Sequence, residues 1–385
     1  MRRTLATMLL AAMATLALLP LAARASDIGV DVDKLAATLG GGFIANPAHV
    51  GLSIGVIKDG VRHTYHFGSI TRDATVAPTD RTLYELASLT KSYTGMLLAR
   101  AVVDGKLALD DDVRRYLPAD CAGLAFQGQP IRIVDLASHT AGLPKNLPAF
   151  IDGASPQQLL QQYASMSRAT FLKALSKVRL SARPGTAYAY SNTGAQLAGL
   201  VLEHVYGASY DSLVQRLIAR PLRMADTGTV VPASARARYA SRYNGKGESM
   251  PELAFWRTIP AAGYLKSTIA DQLDYLAWNL AESDPVVALA HKVTFQHTDE
   301  RGDDIGLFWF VRCTGGGRLL RHAGGSFGTT SFALLHPDAH IGVILLANDA
   351  DTTTEKTLAE IADKLADALS KKASNAPASA QSLHF

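Results

Sequence analysis

Ser88 and Lys91 lie three residues apart in a largely apolar stretch, and this spacing constrains the fold and the chemistry more than any other feature. Leu86, Leu89 and Met96 recur at helical spacing, which predicts a buried helix that carries both polar side chains on one face. A serine hydroxyl is a weak nucleophile at neutral pH and needs a base or a cation beside it. A lysine one turn away can supply either, and a helix N-terminus favours a developing oxyanion. The pair therefore predicts nucleophilic catalysis, whereas the alternative is a capped helix with a surface lysine.

The N-terminal segment has the pattern of a secretory signal peptide. A basic start, Met1-Arg2-Arg3, precedes an apolar run that ends in Ala23-Arg24-Ala25. Pro20 and this small-residue site argue against the alternative, an uncleaved membrane helix. We therefore expect residues 1–25 to be removed, with no stable membrane span afterwards and a periplasmic or secreted mature chain. Its net charge would fall from +4 by three arginines to +1. Without a basic run elsewhere, nucleic acid is not expected as a partner.

The order of patterns predicts an α+β fold. Alternating or β-branched runs predict strands at both ends of the chain, over residues 50–57, 61–67, 306–313, 318–322, 329–336 and 341–347. Helices and connecting turns are expected over residues 30–39, 97–103, 107–116, 134–138, 156–178, 195–206, 210–218, 269–280 and 353–369. This order predicts an antiparallel sheet lobe with flanking helices, built from both ends, plus an inserted all-helical lobe over roughly residues 98–285. The domain would span residues 26–370, and 371–385 would form a disordered tail.

A second candidate motif is Tyr190-Ser191-Asn192. In an extended segment, residues two apart point to the same side, so Tyr190 and Asn192 would face one site together. A tyrosine acts as a base only as phenolate, which requires its pKa to fall by about three units, or about 4 kcal/mol. An ammonium about 4 Å away at an effective dielectric near 20 supplies about that energy. Lys91 could thus make Tyr190 the base for Ser88, while Asn192 would bind Lys91 and a substrate amide. The alternative is a buried tyrosine followed by a helix-capping asparagine.

The third candidate motif is His322-Ala323-Gly324-Gly325. Two glycines on a strand allow another backbone or a substrate to approach closely. The edge of such a strand could pair with an extended substrate and offer a main-chain NH to an oxyanion, together with the NH of Ser88. The alternative is a hairpin turn that happens to carry a histidine.

Together and in this order, the three motifs resemble those of the serine β-lactamase and penicillin-binding protein family, in its class C-like branch. That branch contains class C β-lactamases, D-Ala-D-Ala carboxypeptidases, D-aminopeptidases and related esterases. Similar segments extend over residues 50–370, among them 133–144, 220–224, where Arg223 replaces a glycine, and 262–268. The resemblance implies a β-lactamase-like fold, no cofactor and no metal. It implies that Ser88 is acylated and that Lys91 and Tyr190 transfer protons. It also implies that Asn192, His322, Ala323 and Gly324 bind substrate, while His139 fixes a loop.

One departure from the family pattern concerns the substrate. Class C β-lactamases carry lysine where this chain has His322, and an unperturbed histidine is mostly neutral at pH 7. This favours a peptidase or an esterase over an efficient β-lactamase, although the adjacent Arg321 could bind an anion. The expected reaction is hydrolysis of amide bonds of D-amino-acid peptides, with contact to peptidoglycan, or of β-lactams. A carboxylesterase and a penicillin-binding sensor without turnover are the alternatives. The substrate would be a small molecule or a peptide.

Three further sequence features give weaker evidence for a function. Gly324-Gly325-Ser326-Phe327-Gly328 matches the nucleophile elbow of α/β-hydrolases, but a β-rich run follows it where a helix is required. The sequence leaves open whether Cys121 and Cys313 pair, although free, buried thiols are more common for such a sparse pair. His336 and His340 have a zinc-like interval, but a turn sequence separates them, so no metal site is expected.

Overall fold

The computed structural model describes residues 30–373 except 122, 150–152, 165, 253 and 298–301. The predicted signal peptide lies outside the described residues. The last helix continues to Ala373, three residues into the segment for which a disordered tail is predicted, and the remainder of that segment also lies outside them. Within the described ranges, no helix combines the length and the apolarity needed to cross a membrane.

Helices and strands follow one another along the chain with strands near both ends and most helices between them, as predicted. The helices are α1 (Val30–Ala45), α2 (Thr90–Val103), α3 (Ile133–Ala137), α4 (Pro156–Tyr163), α5 (Arg168–Leu175), α6 (Asn192–Tyr206), α7 (Tyr210–Val214), α8 (Ile269–Asn279), α9 (Pro285–His291) and α10 (Thr354–Ala373). The strands are β1 (Gly51–Lys58), β2 (Val61–Gly68), β3 (Leu83–Glu85), β4 (Ala125–Phe126), β5 (Gln129–Pro130), β6 (Tyr243–Asn244), β7 (Lys266–Thr268), β8 (Asp304–Ile305), β9 (Phe310–Thr314), β10 (Gly317–Gly325), β11 (Thr330–His336), β12 (Ile341–Ala347) and β13 (Asp349–Ala350).

The main sheet joins the two ends of the chain. Its seven strands lie in the order β2-β1-β12-β11-β10-β9-β8, and all neighbours are antiparallel. The β1–β2 hairpin turns at Asp59 and Gly60, which both have positive φ, as a two-residue hairpin turn requires. N-terminal β1 pairs with C-terminal β12, with Val56 opposite Val343. The predicted α+β fold, with a sheet lobe built from both ends of the chain, is therefore confirmed.

Both faces of the sheet are covered. On β12, Val343 and Leu345 pack into a core shared with α1 and α10, whereas Ile344 and Leu346 belong to the larger core that includes α2 and α8. This alternation follows from the two-residue period of a strand. The larger core continues into the helical lobe, so the two lobes share one hydrophobic interior beside α2.

Helix α2 lies where the lobes meet. Its residues from Thr90 to Ala99 are all buried, as expected for a helix that is packed on every side. A Cβ on Gly95 would lie 2.0 Å from the carbonyl oxygen of Leu307, so only glycine allows this close approach. The start of α2, and with it Ser88, is thereby fixed between the sheet and the helices.

Some local predictions differ from the structure. Residues 107–116 contain only a short 3₁₀ turn, Val113–Tyr116. The Asp112 carboxylate accepts a hydrogen bond from the NH of Arg114, and the Asp111 carboxylate accepts one from the NH of Ala108, which closes short turns instead of a helix. The segment 156–178, in contrast, contains two helices, α4 and α5, each begun by a serine cap, in agreement with the expected helices and turns. Cys121 is buried and Cys313 is exposed, and both are free thiols, so the expectation that both are buried is wrong for Cys313.

Candidate active site

Ser88 stands at the entrance of α2. It lies in a 3₁₀ turn, Ala87–Leu89, that leads directly into the helix, so the predicted helical start is one tight turn in the structure. Ala87 has φ +46°, a left-handed conformation that is strained for alanine and is common at functional sites. The NH of Leu86 donates to the carbonyl of Leu265, which ties the turn to β7. Ser88 remains partly exposed while both of its neighbours are buried, so its hydroxyl is presented to a cleft.

Lys91 is buried directly beneath Ser88. Its Nζ lies 3.0 Å from Oγ of Ser88 and 2.6 Å from the carbonyl oxygen of Ala262. Among the ion pairs that the described residues form, none includes Lys91. Burial, and then the positive charge of Lys145, hold the pKa of Lys91 well below its ordinary value. An uncharged amine here can donate to Ala262 while its lone pair accepts the Ser88 proton.

Tyr190 completes the group around Ser88, but not as the sequence argument expected. Its hydroxyl hydrogen-bonds with Ser88, whereas Nζ of Lys91 lies over the ring, 4.9 Å from the ring centroid. Burial raises the pKa of Tyr190, and the bond to Ser88 offsets only part of that rise. The geometry does not support the expectation that a charged Lys91 makes Tyr190 a phenolate, because burial disfavours the phenolate of Tyr190 as well as the ammonium of Lys91.

Asn192 opens helix α6 and faces the same cleft. Ser191 caps this helix, since its Oγ accepts a hydrogen bond from the NH of Gly194 at 2.9 Å. Nδ2 of Asn192 donates to Oδ1 of Asn146 at 2.7 Å, and the expected bond to Lys91 is not formed. Oδ1 of Asn192 is buried without a partner, so it is free to accept a hydrogen bond from a substrate NH.

His139 holds the Tyr190 segment in place. Its Nδ1 accepts a hydrogen bond from the NH of Ser191 at 3.1 Å, and its ring packs on that of Tyr190 with centroids 4.5 Å apart. Burial, and then the charge of Lys91, lower the pKa of His139 well below its ordinary value, so the ring is neutral. These contacts agree with the expected loop-fixing role.

The third motif lies on β10, across the cleft from Tyr190. The histidine is buried, and its Nδ1 donates to the carbonyl of Ala323 at 2.7 Å, so Nε2 carries no proton and lacks a partner. Burial, and then the charge of Lys91, lower the pKa of His322 to about 3. A Cβ on Gly324 would lie 2.2 Å from the carbonyl oxygen of Leu86, which explains how this strand comes to lie against the Ser88 turn.

One edge of this part of β10 is open. Strand β9 pairs with β10 only as far as Arg321, while β11 pairs with it on the other side as far as Gly325. Because an antiparallel strand directs alternate residues to alternate neighbours, the backbone groups of Ala323 and Gly325 face the side without a strand. An extended ligand can pair with this edge.

These groups line one cleft of about 490 Å³. Ser88, Tyr190, Asn192, His322 and Ala323 all contribute to its walls, whereas Gly324 lies behind them against the Ser88 turn. Gly325, from the third motif, and Ser326 also line the cleft. The lining residues for which no role was predicted are Lys145, Asn146, Tyr188, Trp256, Phe310, Phe327 and Glu355. Lys145 and Asn146 directly follow the 133–144 segment that resembles the family, and this position could have indicated that they lie near the site.

Arg321 does not act as the suggested anion-binding group, whereas the structure agrees with the sequence in giving Ser326 no nucleophile elbow. Arg321 is held by an ion pair with Asp303, with Nη2 and Oδ2 2.5 Å apart, and is not among the lining residues, so it does not offer a cation to the cleft. Ser326 lies in the connection between β10 and β11, where its Oγ is 2.8 Å from Oγ1 of Thr329. A strand follows it rather than a helix, so the nucleophile elbow is not formed.

Comparison with known proteins gives consistent relatives. A family model described as Beta-lactamase matches residues 34–368. The chain is 26% identical over 330 residues to the D-alanyl-D-alanine-carboxypeptidase/endopeptidase AmpH of Escherichia coli (strain K12), which covers 80% of this chain and 82% of AmpH. It is 30% identical over 230 residues to a beta-lactamase of Providencia stuartii, which covers 60% of this chain and 55% of that protein.

Solved structures show the same fold. The beta-lactamase/D-alanine carboxypeptidase from Yersinia pestis, in complex with citrate, superposes with a TM-score of 0.75 at 21% identity, covering 88% of this chain and 98% of that one. A class C beta-lactamase superposes with a TM-score of 0.74 at 20% identity, covering 88% and 96%. Since the family model also matches most of the sequence, this protein is a serine hydrolase that belongs to the beta-lactamase family.

Proposed function

We propose that the protein is an exported hydrolase that forms an acyl-enzyme on Ser88 and cleaves amide bonds of D-amino-acid peptides of the peptidoglycan type, or β-lactams. The observation that carries this proposal is the buried amine of Lys91, 3.0 Å from the Ser88 hydroxyl and without an acidic partner among the described residues. A desolvated lysine next to a serine that opens into a cleft has the properties of a general base and its nucleophile.

In the acylation step, Oγ of Ser88 attacks the substrate carbonyl while its proton moves to Nζ of Lys91. The NH groups of Ser88 and Gly325 stabilise the oxyanion. As the tetrahedral intermediate collapses, the bond to the leaving group breaks and the neutral Tyr190 hydroxyl donates its proton to that group. The Lys91 ammonium returns a proton to the tyrosine, and water then hydrolyses the Ser88 ester.

Substrate binding uses both walls of the cleft in this proposal. The edge of β10 at Ala323 and Gly325 pairs with an extended acyl donor, as in other cases of strand addition. From the opposite wall, the unpartnered Oδ1 of Asn192 accepts a substrate NH. His322 acts as a neutral group beneath the edge, because its buried ring has a pKa of about 3.

A carboxylesterase is the second candidate. The observation that favours it is that neither of the two basic side chains expected at the β10 edge supplies a cation there, since His322 is neutral and Arg321 is held by Asp303. Without such a cation, a substrate carboxylate has no counter-charge on this wall, whereas an ester needs none.

The test compares kcat/KM for a D-Ala-D-Ala peptide, nitrocefin and a short-chain p-nitrophenyl ester, with Ser88→Ala as the control. We expect turnover of the peptide or the ester to exceed that of nitrocefin, and intact-mass analysis to find the acyl adduct on Ser88. Nitrocefin turnover equal to the best peptide or ester would reassign the protein as a β-lactamase. An adduct that persists without turnover would identify a penicillin-binding sensor, and activity retained in Ser88→Ala would refute the mechanism.

Localisation is part of the same proposal. The basic start, the apolar run and Ala23-Arg24-Ala25 support a mature chain that begins near Ser26 and works in the periplasm or outside the cell, in contact with peptidoglycan. Intact-mass analysis of the protein from its native host tests this, and retention of residues 1–25 on membrane-bound material would overturn it.

A further inference from the structure

Besides the neutral His322, the described side chains that line the cleft include one amine, Lys145, and one carboxyl group, Glu355, whose pKa burial raises. The two groups act on different members of the catalytic group. Burial, and then Lys145, lower the pKa of Lys91, whereas Glu355 adds to the rise that burial and Tyr188 cause in the pKa of Tyr190. The cleft is therefore electrically asymmetric.

Glu355 is held close to the open edge of β10. It lies in the first turn of α10, and its Oε2 would be 3.7 Å from a Cβ placed on Gly325. The start of the helix is fixed, because the Asp351 carboxylate accepts hydrogen bonds from the NH groups of Thr353 and Thr354 at 2.6 and 2.7 Å. The backbone that carries Glu355 is thus fixed, and its exposed side chain lines the cleft.

No described cation neutralises Glu355. The neighbouring Lys356 pairs with Glu360 instead, and Glu355 takes part in none of the ion pairs between described residues. On the nearby sheet, Arg321 and Arg312 are both paired with Asp303. A substrate group beside Gly325 therefore meets a carboxylate without its own counter-ion.

We propose that Glu355 sets the specificity for the leaving group by disfavouring a free carboxylate and favouring a neutral or cationic group. This inference rests on the proposed function, in which the Tyr190 hydroxyl protonates the leaving group. Glu355 acts electrostatically on Tyr190, so it also acts on a leaving group that departs there. Esters, amine-bearing leaving groups and peptide bonds inside a chain are then better substrates than a C-terminal D-Ala-D-Ala bond, whose leaving D-Ala ends in a free carboxylate. Two like charges about 6 Å apart near a surface, partly screened by salt, change kcat/KM by about tenfold.

The test uses three thioesters of N-acetyl-D-alanine that differ only in the charge of the leaving thiol. These are mercaptoacetate (anionic), 2-mercaptoethanol (neutral) and thiocholine (cationic, with no NH that could take the acyl group), and thiol release gives kcat/KM. In the wild type we expect the anionic thioester to be about tenfold poorer than the neutral one, and the cationic one to be at least as good. Glu355→Gln should raise the anionic-to-neutral ratio to near one, and Glu355→Lys should invert the order.

Glu360→Gln is the matched control, since it removes a carboxylate of the same helix that is exposed like Glu355 but does not line the cleft. It should leave all three ratios unchanged. The inference is overturned if Glu355→Gln keeps the wild-type ratio, or if Glu360→Gln changes the ratio as much. If the neutral thioester is not hydrolysed in a Ser88-dependent manner, the proposed function fails instead, so the two failures are distinguishable.

Discussion

At the scale of single residues, burial decides which group holds each proton. Lys91 contacts Ser88 and a carbonyl but no carboxylate, so desolvation is not offset and the charged form is disfavoured. Tyr190 is affected in the opposite direction, because burial disfavours its anion and keeps it protonated. Lys91 is thereby suited to accept a proton and Tyr190 to donate one.

Replacing Lys91 by methionine should separate catalysis from stability. We expect acylation to fall by about 10³-fold or more, because the base is lost. The melting temperature at pH 7 should rise, because the unfolded chain binds a proton that the folded Lys91 resists. With the folded pKa below the ordinary 10.5, wild-type stability increases as pH rises toward that value, so the advantage of the variant should shrink in alkaline solution. Melting curves at several pH values test this, and an advantage that does not change with pH would contradict it.

Tyr190→Phe should discriminate between leaving groups. If the neutral hydroxyl protonates the leaving group, the variant should lose about 10²- to 10⁴-fold on a peptide, whose amine must be protonated. A p-nitrophenyl ester should be affected much less, because p-nitrophenolate leaves without a proton. Steady-state kcat/KM on both substrates gives the answer, and equal losses would exclude the donor role. A double variant with Lys91→Met should be little worse than the worse single variant.

His322 should not contribute a titration near neutral pH. Burial holds its pKa at about 3, so the ring is uncharged throughout the range from about pH 5 to pH 8. In a Glu355→Gln background, pH profiles for a carboxylate-bearing and a neutral substrate should therefore run in parallel. A fall restricted to the carboxylate substrate as pH rises would show a protonated histidine. His322→Lys should impair both substrates, since it buries a second amine beside Lys91.

At the scale of elements, the site depends on strand β10 lying against the Ser88 turn. The sequence could indicate that a glycine pair allows close approach, but not that the partner of Gly324 is the carbonyl of Leu86. The long strands were predictable because they are runs of alternating or β-branched residues, whereas β3 and β7 are three residues each and too short to show such a pattern. Glu355 could not be found, because its place in the cleft depends on how α10 begins relative to β10.

Gly324→Ala and Gly325→Ala make a matched pair. On Gly324 the methyl group would lie 2.2 Å from a backbone oxygen and 2.9 Å from the nitrogen of Leu89, so β10 and the turn must separate. We expect a loss of about 2–4 kcal/mol in the free energy of unfolding and a large loss of activity. On Gly325 the nearest atom would be 3.7 Å away, so unfolding should change by less than about 1 kcal/mol. Urea titration measures both, and equal destabilisation would refute the contact.

At the scale of the whole molecule, the two ends of the chain close one sheet. Besides the pairing of β1 with β12, the Asp349 carboxylate lies 2.8 Å from Nδ1 of His49 and accepts a hydrogen bond from the NH of Val50 at 3.0 Å. The nucleophile comes from the first quarter of the sequence and the β10 edge from near its end. The site is therefore assembled only when these distant segments have come together.

In the native protein, Cys121 and Cys313 should remain free thiols that differ in reactivity. Cys313 is exposed and should react at once with a thiol reagent, whereas Cys121 is buried and should react only on unfolding. Burial also raises the pKa of Cys121, which further lowers its reactivity. Thiol counting with and without denaturant tests this, with Cys313→Ser as the control that removes the fast reaction. A disulfide found by mass analysis of the native protein would contradict it.

The open edge of β10 also bears on aggregation. An unpaired strand edge is normally a hazard, because another copy of the chain can add to it and propagate a shared sheet. Here the unpaired stretch lies inside a cleft whose walls include Tyr188, Trp256 and Phe327. A folded neighbour cannot bring its own sheet edge to such a recessed strand, while a single extended peptide can enter. Because the strand edge is recessed, it can bind a single extended ligand but cannot pair with the sheet edge of another folded copy.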